Sequence, residues 1–169
     1  MKIFKFGGAS VNSIERIKSM AAIVDQYSNE QILIIVSAMG KTTNALEKVV
    51  EAFYAGNKEQ ALQLFDTIKK QHLTTSKYLL VTTFNHCLAQ LSEFFTEVEW
   101  LLHDKPVREF DYYYDQIVSI GELFSTSIIS HYLNEGVAKD GKKTTVLFMY
   151  GKFMQESNGG RLGEKIPRG

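Results

Sequence analysis

One cysteine, Cys87, stands among the 169 residues, so neither a disulfide framework nor a cysteine-ligated zinc site is open to this chain. Net charge is missing too. Nineteen lysines and arginines offset 19 aspartates and glutamates, leaving no overall field to draw the chain to nucleic acid or an anionic membrane. The apolar runs, Ile32–Val36 among them, are far too short to span a bilayer. No apolar stretch with a small-residue cleavage site opens the chain, and no internal repeat recurs along it. These absences lead us to expect a soluble cytoplasmic protein: one domain large enough for a real core, with no nucleic acid and no membrane among its partners.

What is present is an alternation of strands and helices. Met1–Phe6 is predicted as a short strand, apolar at Ile3, Phe4 and Phe6. Asn12 is placed to cap a helix with Glu15 as capping-box partner, and Ile14, Ile17, Ala21 and Val24 keep helical spacing behind it. Gln31–Ser37 holds "ILIIV", β-branched and apolar, the pattern of a strand buried on both faces. A second helix is expected from about Thr43 to Tyr54, stopped at Gly56. Two apolar stripes follow, Leu62, Phe65 and Ile68, then Leu88, Leu91, Phe95, Val98 and Leu102. They predict two antiparallel helices broken around Thr82–Asn85, an excursion that Pro106 ends. Tyr114–Asn134 reads as one more helix, with Ile117, Phe124, Ile128 and His131 or Tyr132 inward, and Lys143–Met149 as a third strand. Strand–helix–strand–helix order implies an α/β fold with a parallel sheet covered by helices.

Three stretches carry chemistry. "KFGGASV" puts Gly7 and Gly8 directly after the first strand, where bare backbone lets a ligand approach N–H groups at a helix entrance. Lys5 would add an ammonium and Ser10 a hydroxyl, which together suit an anion, a phosphate above all. The competing reading is a tight turn that needs positive φ, with Lys5 merely solvated. "VSAMGKTTNAL" follows the second strand and offers Ser37, Gly40, Thr42 and Thr43. Its Gly-Lys-Thr is not a P-loop, because Ile35 stands where that pattern needs its first glycine. Both turns fall beyond the carboxyl ends of strands, where open parallel sheets gather ligands. "DQIVSIGELFSTSIIS" carries Glu122 in a mostly apolar helix, either a capping or solvated carboxylate or one that recognises a cationic group on a small substrate. Cys87 and His86 are expected to be structural.

Taken together, "KFGGASV", "VSAMGKTTNAL" and "QIVSIGELFSTSIISHYL" resemble, in order and approximate spacing, the N-terminal part of aspartate kinases of the amino-acid kinase superfamily. Ala9 replaces a threonine common in that family, and the likeness runs to about Leu133. The resemblance implies a three-layer αβα amino-acid kinase (carbamate kinase-like) fold, N-terminal lobe only, with a mostly parallel sheet. It implies residues 1–149 as a partial kinase domain, with a helical excursion at about 58–105, and 150–169 as an irregular tail. The implied activity is ATP-dependent phosphorylation of the side-chain carboxylate of L-aspartate, opening lysine, threonine and methionine biosynthesis. Lys5 would be catalytic and, with Gly7, Gly8 and Ser10, would hold phosphate; Ser37, Thr43 and Glu122 would hold aspartate. ATP and Mg2+ are the implied cofactors, no protein side chain is assigned to metal, and a homo-oligomer is expected.

The arginine–glycine–glycine–serine–aspartate motif found further along in that family has no counterpart here. "NGGRLGEK" has the order wrong. A truncated chain with little activity of its own is therefore expected. Two other readings remain: a catalytically inactive small-molecule-binding or interaction domain that keeps the lobe, and a different amino-acid kinase.

Overall fold

A computed structural model describes residues 2–137 and 146–147. Three parallel strands, β1 (Lys2–Phe6), β2 (Ile32–Val36) and β3 (Val146–Leu147), lie in the order β1-β2-β3, as the alternation predicts. The rest of the predicted Lys143–Met149 strand, and the 150–169 tail, lie outside the described residues. Lys5 pairs with Ile35 and Phe6 with Val36, so both strands end level. Alternation puts Phe4, Phe6, Ile34 and Val36 on one face and Ile3, Lys5, Leu33 and Ile35 on the other. Ile34 and Val36 are buried, whereas Leu33 and Ile35 are half-buried and Ile3 is 59% exposed. Burial of β2 on both faces, expected from its composition, therefore does not hold among the described residues: helices pack closely on one side.

The cap of helix α1 (Ile14–Asp25) falls one residue later than the predicted Asn12. A 3-10 turn, Gly8–Val11, intervenes after β1 and leaves Asn12 helical at φ −81°, ψ −5°. An N-cap needs extended backbone. Ser13 has it, at φ −148°, ψ 164°, and its hydroxyl accepts from the Arg16 N–H. Helix α2 (Thr42–Tyr54) ends at Gly56, whose φ of +82° is costly for any residue with a Cβ.

The excursion is two antiparallel helices, α3 (Lys58–Leu79) and α4 (Phe84–His103). Phe65 meets Phe95 edge-on, and the Lys58 ammonium donates to the His103 carbonyl at the far end. Their connecting turn is clamped from a distance. The Glu135 carboxylate accepts from the backbone N–H groups of Val81, Thr82 and Thr83 and from the Thr83 hydroxyl, supplying the cap that Thr83 does not give α4 itself.

The predicted single helix over 114–134 is two, α5 (Phe110–Val118) and α6 (Ile120–Val137), parted at Ser119. The break serves two partners. Tyr113, on α5, packs edge-on against Phe53 of α2, while Phe124, on α6, packs against Phe95 of α4. One straight helix could not face both. Residues Phe124 to Ile129 are buried without interruption, so α6 is the central helix rather than an amphipathic one.

Candidate functional site

The two turns beyond β1 and β2 are locked to each other through backbone. The Ser37 N–H donates to the Phe6 carbonyl and the Gly40 N–H to the Gly8 carbonyl, each at 3.0 Å. A Cβ on Gly8 would stand 2.4 Å from the Ala38 carbonyl oxygen, a distance no side chain can occupy. Neither Gly7 nor Gly8 has positive φ, so the tight-turn reading of this pair is overturned. Gly8 is glycine because another backbone passes where its side chain would be. The left-handed position is Gly40 instead, at φ +58°.

Lys5 lies exposed at the level of this turn, its Nζ 4.0 Å from where a Gly7 Cβ would stand. Among the described residues it has no hydrogen-bond or ion-pair partner. Ser10 is exposed in the 3-10 turn, its N–H donating to the Gly7 carbonyl. This 3-10 turn separates Gly7 from α1, whose first turn begins only at Ile14.

On the other side of the loop stands α6. Gly121 presses into it so closely that a Cβ would meet the Ala38 Cβ and a Leu46 methyl at 3.1 Å and the Thr42 methyl at 3.3 Å. That approach brings Glu122, half-buried, to face the Ala38 N–H with its carboxylate. Burial pushes the Glu122 pKa above the ordinary carboxylate value, and the N–H groups of Glu122 and Ala38 only partly oppose it. Ala38 therefore joins two elements, carbonyl against Gly8 and N–H toward Glu122. Gly8, Ser37 and Glu122 gather around this residue, and Thr43 follows in the first turn of α2. Lys5 and Gly7 lie beside them, with no contact from Lys5 to Glu122 among the described residues.

Sequence reasoning missed Gly121 and His72 in this arrangement, and named Thr42 without foreseeing its burial. Gly121 precedes Glu122, and its small size was the available signal. Thr42 is buried, its hydroxyl donating to the Met39 carbonyl at 2.6 Å and lying 3.4 Å from His72 Nε2. His72 falls on the Phe65–Ile68 stripe by spacing, and nothing in the local pattern separates it from a core filler. Cys87 is buried against Ser127, and burial pushes its thiol up to about 11, which makes it inert, as expected. An open cleft of about 410 Å³ lined by Lys48, Glu51, Asn57 and Leu64 lies at the α2–α3 junction and shares no residue with the site. Among the described residues no group of three or more His, Cys, Asp or Glu side chains gathers to hold a metal.

The sequence profile of the amino acid kinase family matches residues 1–153. Among curated proteins, the chain is 36% identical over 137 residues to aspartokinase 2, chloroplastic, of Arabidopsis thaliana, covering 79% of this chain and 24% of that one. It is 28% identical over 156 residues to the aspartokinase of Rickettsia prowazekii, covering 85% of this chain and 33% of that one. It spans about a quarter of the length of the plant aspartokinases it matches. Among solved structures, E. coli aspartokinase III in complex with aspartate and ADP superposes with a TM-score of 0.68 at 24% identity, over 80% of this chain and 29% of that one. Clostridium acetobutylicum aspartate kinase gives 0.62 at 21%, over 79% and 29%. Those superpositions carry the fold, the profile match carries the ancestry, and on both the chain belongs to the amino acid kinase family.

Proposed function

We propose that this chain supplies the phosphate-facing turn and the amino-acid-facing loop of an aspartate kinase. The observation that carries the reading is Ala38, whose two backbone groups bring the Gly8 turn and Glu122 to one strand end. Among the described residues Lys5 leaves an ammonium without a partner beside a glycine backbone, which suits a nucleotide phosphate. Ser10 is exposed in the same turn. Glu122 pays for partial burial of its charge and regains it when an α-ammonium docks, which is the substrate group we assign to it. The Ser37 and Thr43 hydroxyls take the remainder of L-aspartate. The side-chain carboxylate oxygen of aspartate then bonds to the γ-phosphorus of ATP, the bond to the bridging oxygen breaks, and ADP leaves. Lys5 stabilises the charge on the moving phosphoryl group, the electrostatic and positioning work this chemistry asks of a protein. Mg2+, carried by the nucleotide phosphates, would neutralise the remaining charge.

E. coli aspartokinase III is solved with aspartate and ADP, which supports both ligand classes. Self-association belongs to the same reading, since Ile3 leaves apolar surface on the open sheet face, and a strictly monomeric species in sedimentation at micromolar concentrations would count against it. So does a cytoplasmic location, although the plant relatives are named chloroplastic. Among the described residues no helix is long and apolar enough to cross a membrane. The test is calorimetric titration of the 169-residue chain with L-aspartate and with MgATP. Binding of aspartate that Glu122→Gln weakens, and of nucleotide that Lys5→Ala weakens, supports the proposal. Absence of both bindings in the unaltered chain favours an inactive lobe serving interactions. In a hydroxamate assay we expect little turnover from these residues alone.

A further inference from the structure

We propose that His72 is a positioning residue for the Ala38–Thr43 loop, acting through Thr42, so that the inserted α3–α4 pair takes part in substrate recognition. The proposal rests on the reading of that loop as the aspartate side of the site. His72 has no exposed surface, and its ring packs 5.0 Å from that of Phe124. Its Nδ1 lies 2.8 Å from the Ile68 carbonyl oxygen, and Nε2 lies 3.4 Å from Thr42 Oγ1. A carbonyl only accepts, so Nδ1 must carry the proton. Burial disfavours the charged ring, which leaves Nε2 a bare acceptor.

Thr42 has one hydroxyl proton and two acceptors for it. The Met39 carbonyl takes it at 2.6 Å, while Nε2 stands behind at the longer distance. Buried polar groups that lose a partner are costly. The second acceptor lets the hydroxyl leave Met39 without being orphaned, so the loop has two satisfied positions rather than one. The movement does not stay local. The Thr42 methyl bears on Gly121, one residue before Glu122, and Gly121 also bears on Ala38. A shift of Thr42 between its acceptors therefore changes how Glu122 and the Ala38 N–H meet an incoming ligand. Without His72 the Thr42 hydroxyl keeps the Met39 carbonyl as its one acceptor, and the loop loses its seat against α3.

Two variants separate this role from simple core filling. His72→Asn retains a donor for the Ile68 carbonyl but is too short for Thr42. His72→Gln places an amide at the Nε2 position. Amide hydrogen exchange is read at Gly40 and Thr42, whose N–H groups donate to Gly8 and Met39, with Ile34–Val36 of β2 as internal reference. His72→Asn should speed exchange at Gly40 and Thr42 by about tenfold, the scale of one buried hydrogen bond, and leave β2 unchanged. His72→Gln should restore most of the protection. In titrations, aspartate affinity should fall with loop protection while ADP affinity holds. Unchanged loop exchange in His72→Asn, an equal rise in β2, or a Gln variant no better than Asn would overturn the proposal. A chain that never binds aspartate refutes the functional reading above, and loop exchange then decides the role of His72 by itself.

Discussion

The strand-end site and the α3–α4 pair are built on opposite terms. At the site, contact is made by backbone and by residues with almost no side chain: Gly8 against Ala38, and Gly121 against Ala38 and Thr42. In the helix pair, contact is made by large side chains, Phe65, Phe95 and Leu91, and part of the charge is matched across or along the helices. Lys69 pairs with Asp66 and Glu99, and Lys70 with Asp66. The site leaves its charges unmatched, with Lys5 free among the described residues and Glu122 held above its ordinary pKa. Unsatisfied charge kept beside close-packed backbone is the feature on which the proposed ligand site rests.

Lys5→Ala tests that contrast most sharply. Nucleotide affinity should fall by about 1.5–3 kcal/mol, the worth of a charge-assisted hydrogen bond, with Tm unchanged because the Lys5 ammonium has no partner among the described residues. A drop in Tm of several degrees would place Lys5 among the structural charges instead. Gly8→Ala should reverse the pattern. Its Cβ meets backbone that cannot step aside, and a stability loss of about 1–3 kcal/mol is expected in denaturant unfolding, together with loss of ligand binding. Ala9→Thr, one residue on and exposed, should cost nothing measurable.

Thr126 in α6 carries a buried hydroxyl with no partner among the described residues. Thr126→Val should raise stability by about 1 kcal/mol, since it removes an orphaned polar group and keeps the shape. A destabilised valine variant would mean that the hydroxyl is satisfied after all. A smaller effect than that of Thr126 belongs to Glu122. Its folded pKa lies above the unfolded value, so the folded chain binds the extra proton between the two. Stability without ligand should fall as pH rises from about the model-peptide carboxylate range through that raised pKa. Glu122→Gln should flatten this slope, gaining less than about 1 kcal/mol at neutral pH because the group is half-exposed and screened. Saturating aspartate should flatten it in the unaltered chain as well.

Local pattern revealed the strands, the turn glycines and the helix pair, because period-2 and period-3.6 apolarity and the Gly7–Gly8 and Gly56 stops are written in adjacent residues. It brought Ser37 and Glu122 to one place only through family resemblance. The reason for Gly8 was not legible, since the atom that forbids its side chain belongs to Ala38, thirty residues on. The Ser119 break and the role of Thr42 and His72 were hidden for the same cause: each answers to a partner on a different element. Asn12 and Ser13 are both acceptable caps by composition, and only the intervening 3-10 turn chose between them.

The Glu135 clamp bears on the order in which these elements assemble. Its acceptors reach back 52–54 residues to the α3–α4 turn, whereas the two helices meet through contacts that need only their own short connection. Closing the longer loop costs chain entropy before it returns anything, so the hairpin should form early and be stapled late. A contact made after the transition state governs how long the native state lasts rather than how fast it is reached. Glu135→Ala should therefore speed unfolding several-fold in stopped-flow mixing, on the scale of about 1–2 kcal/mol for a lost helix cap, with the refolding rate nearly untouched. Slower refolding would put α6 in the folding nucleus. On the expected result, a single carboxylate at one end of α6 sets the lifetime of a helix pair whose formation it does not assist.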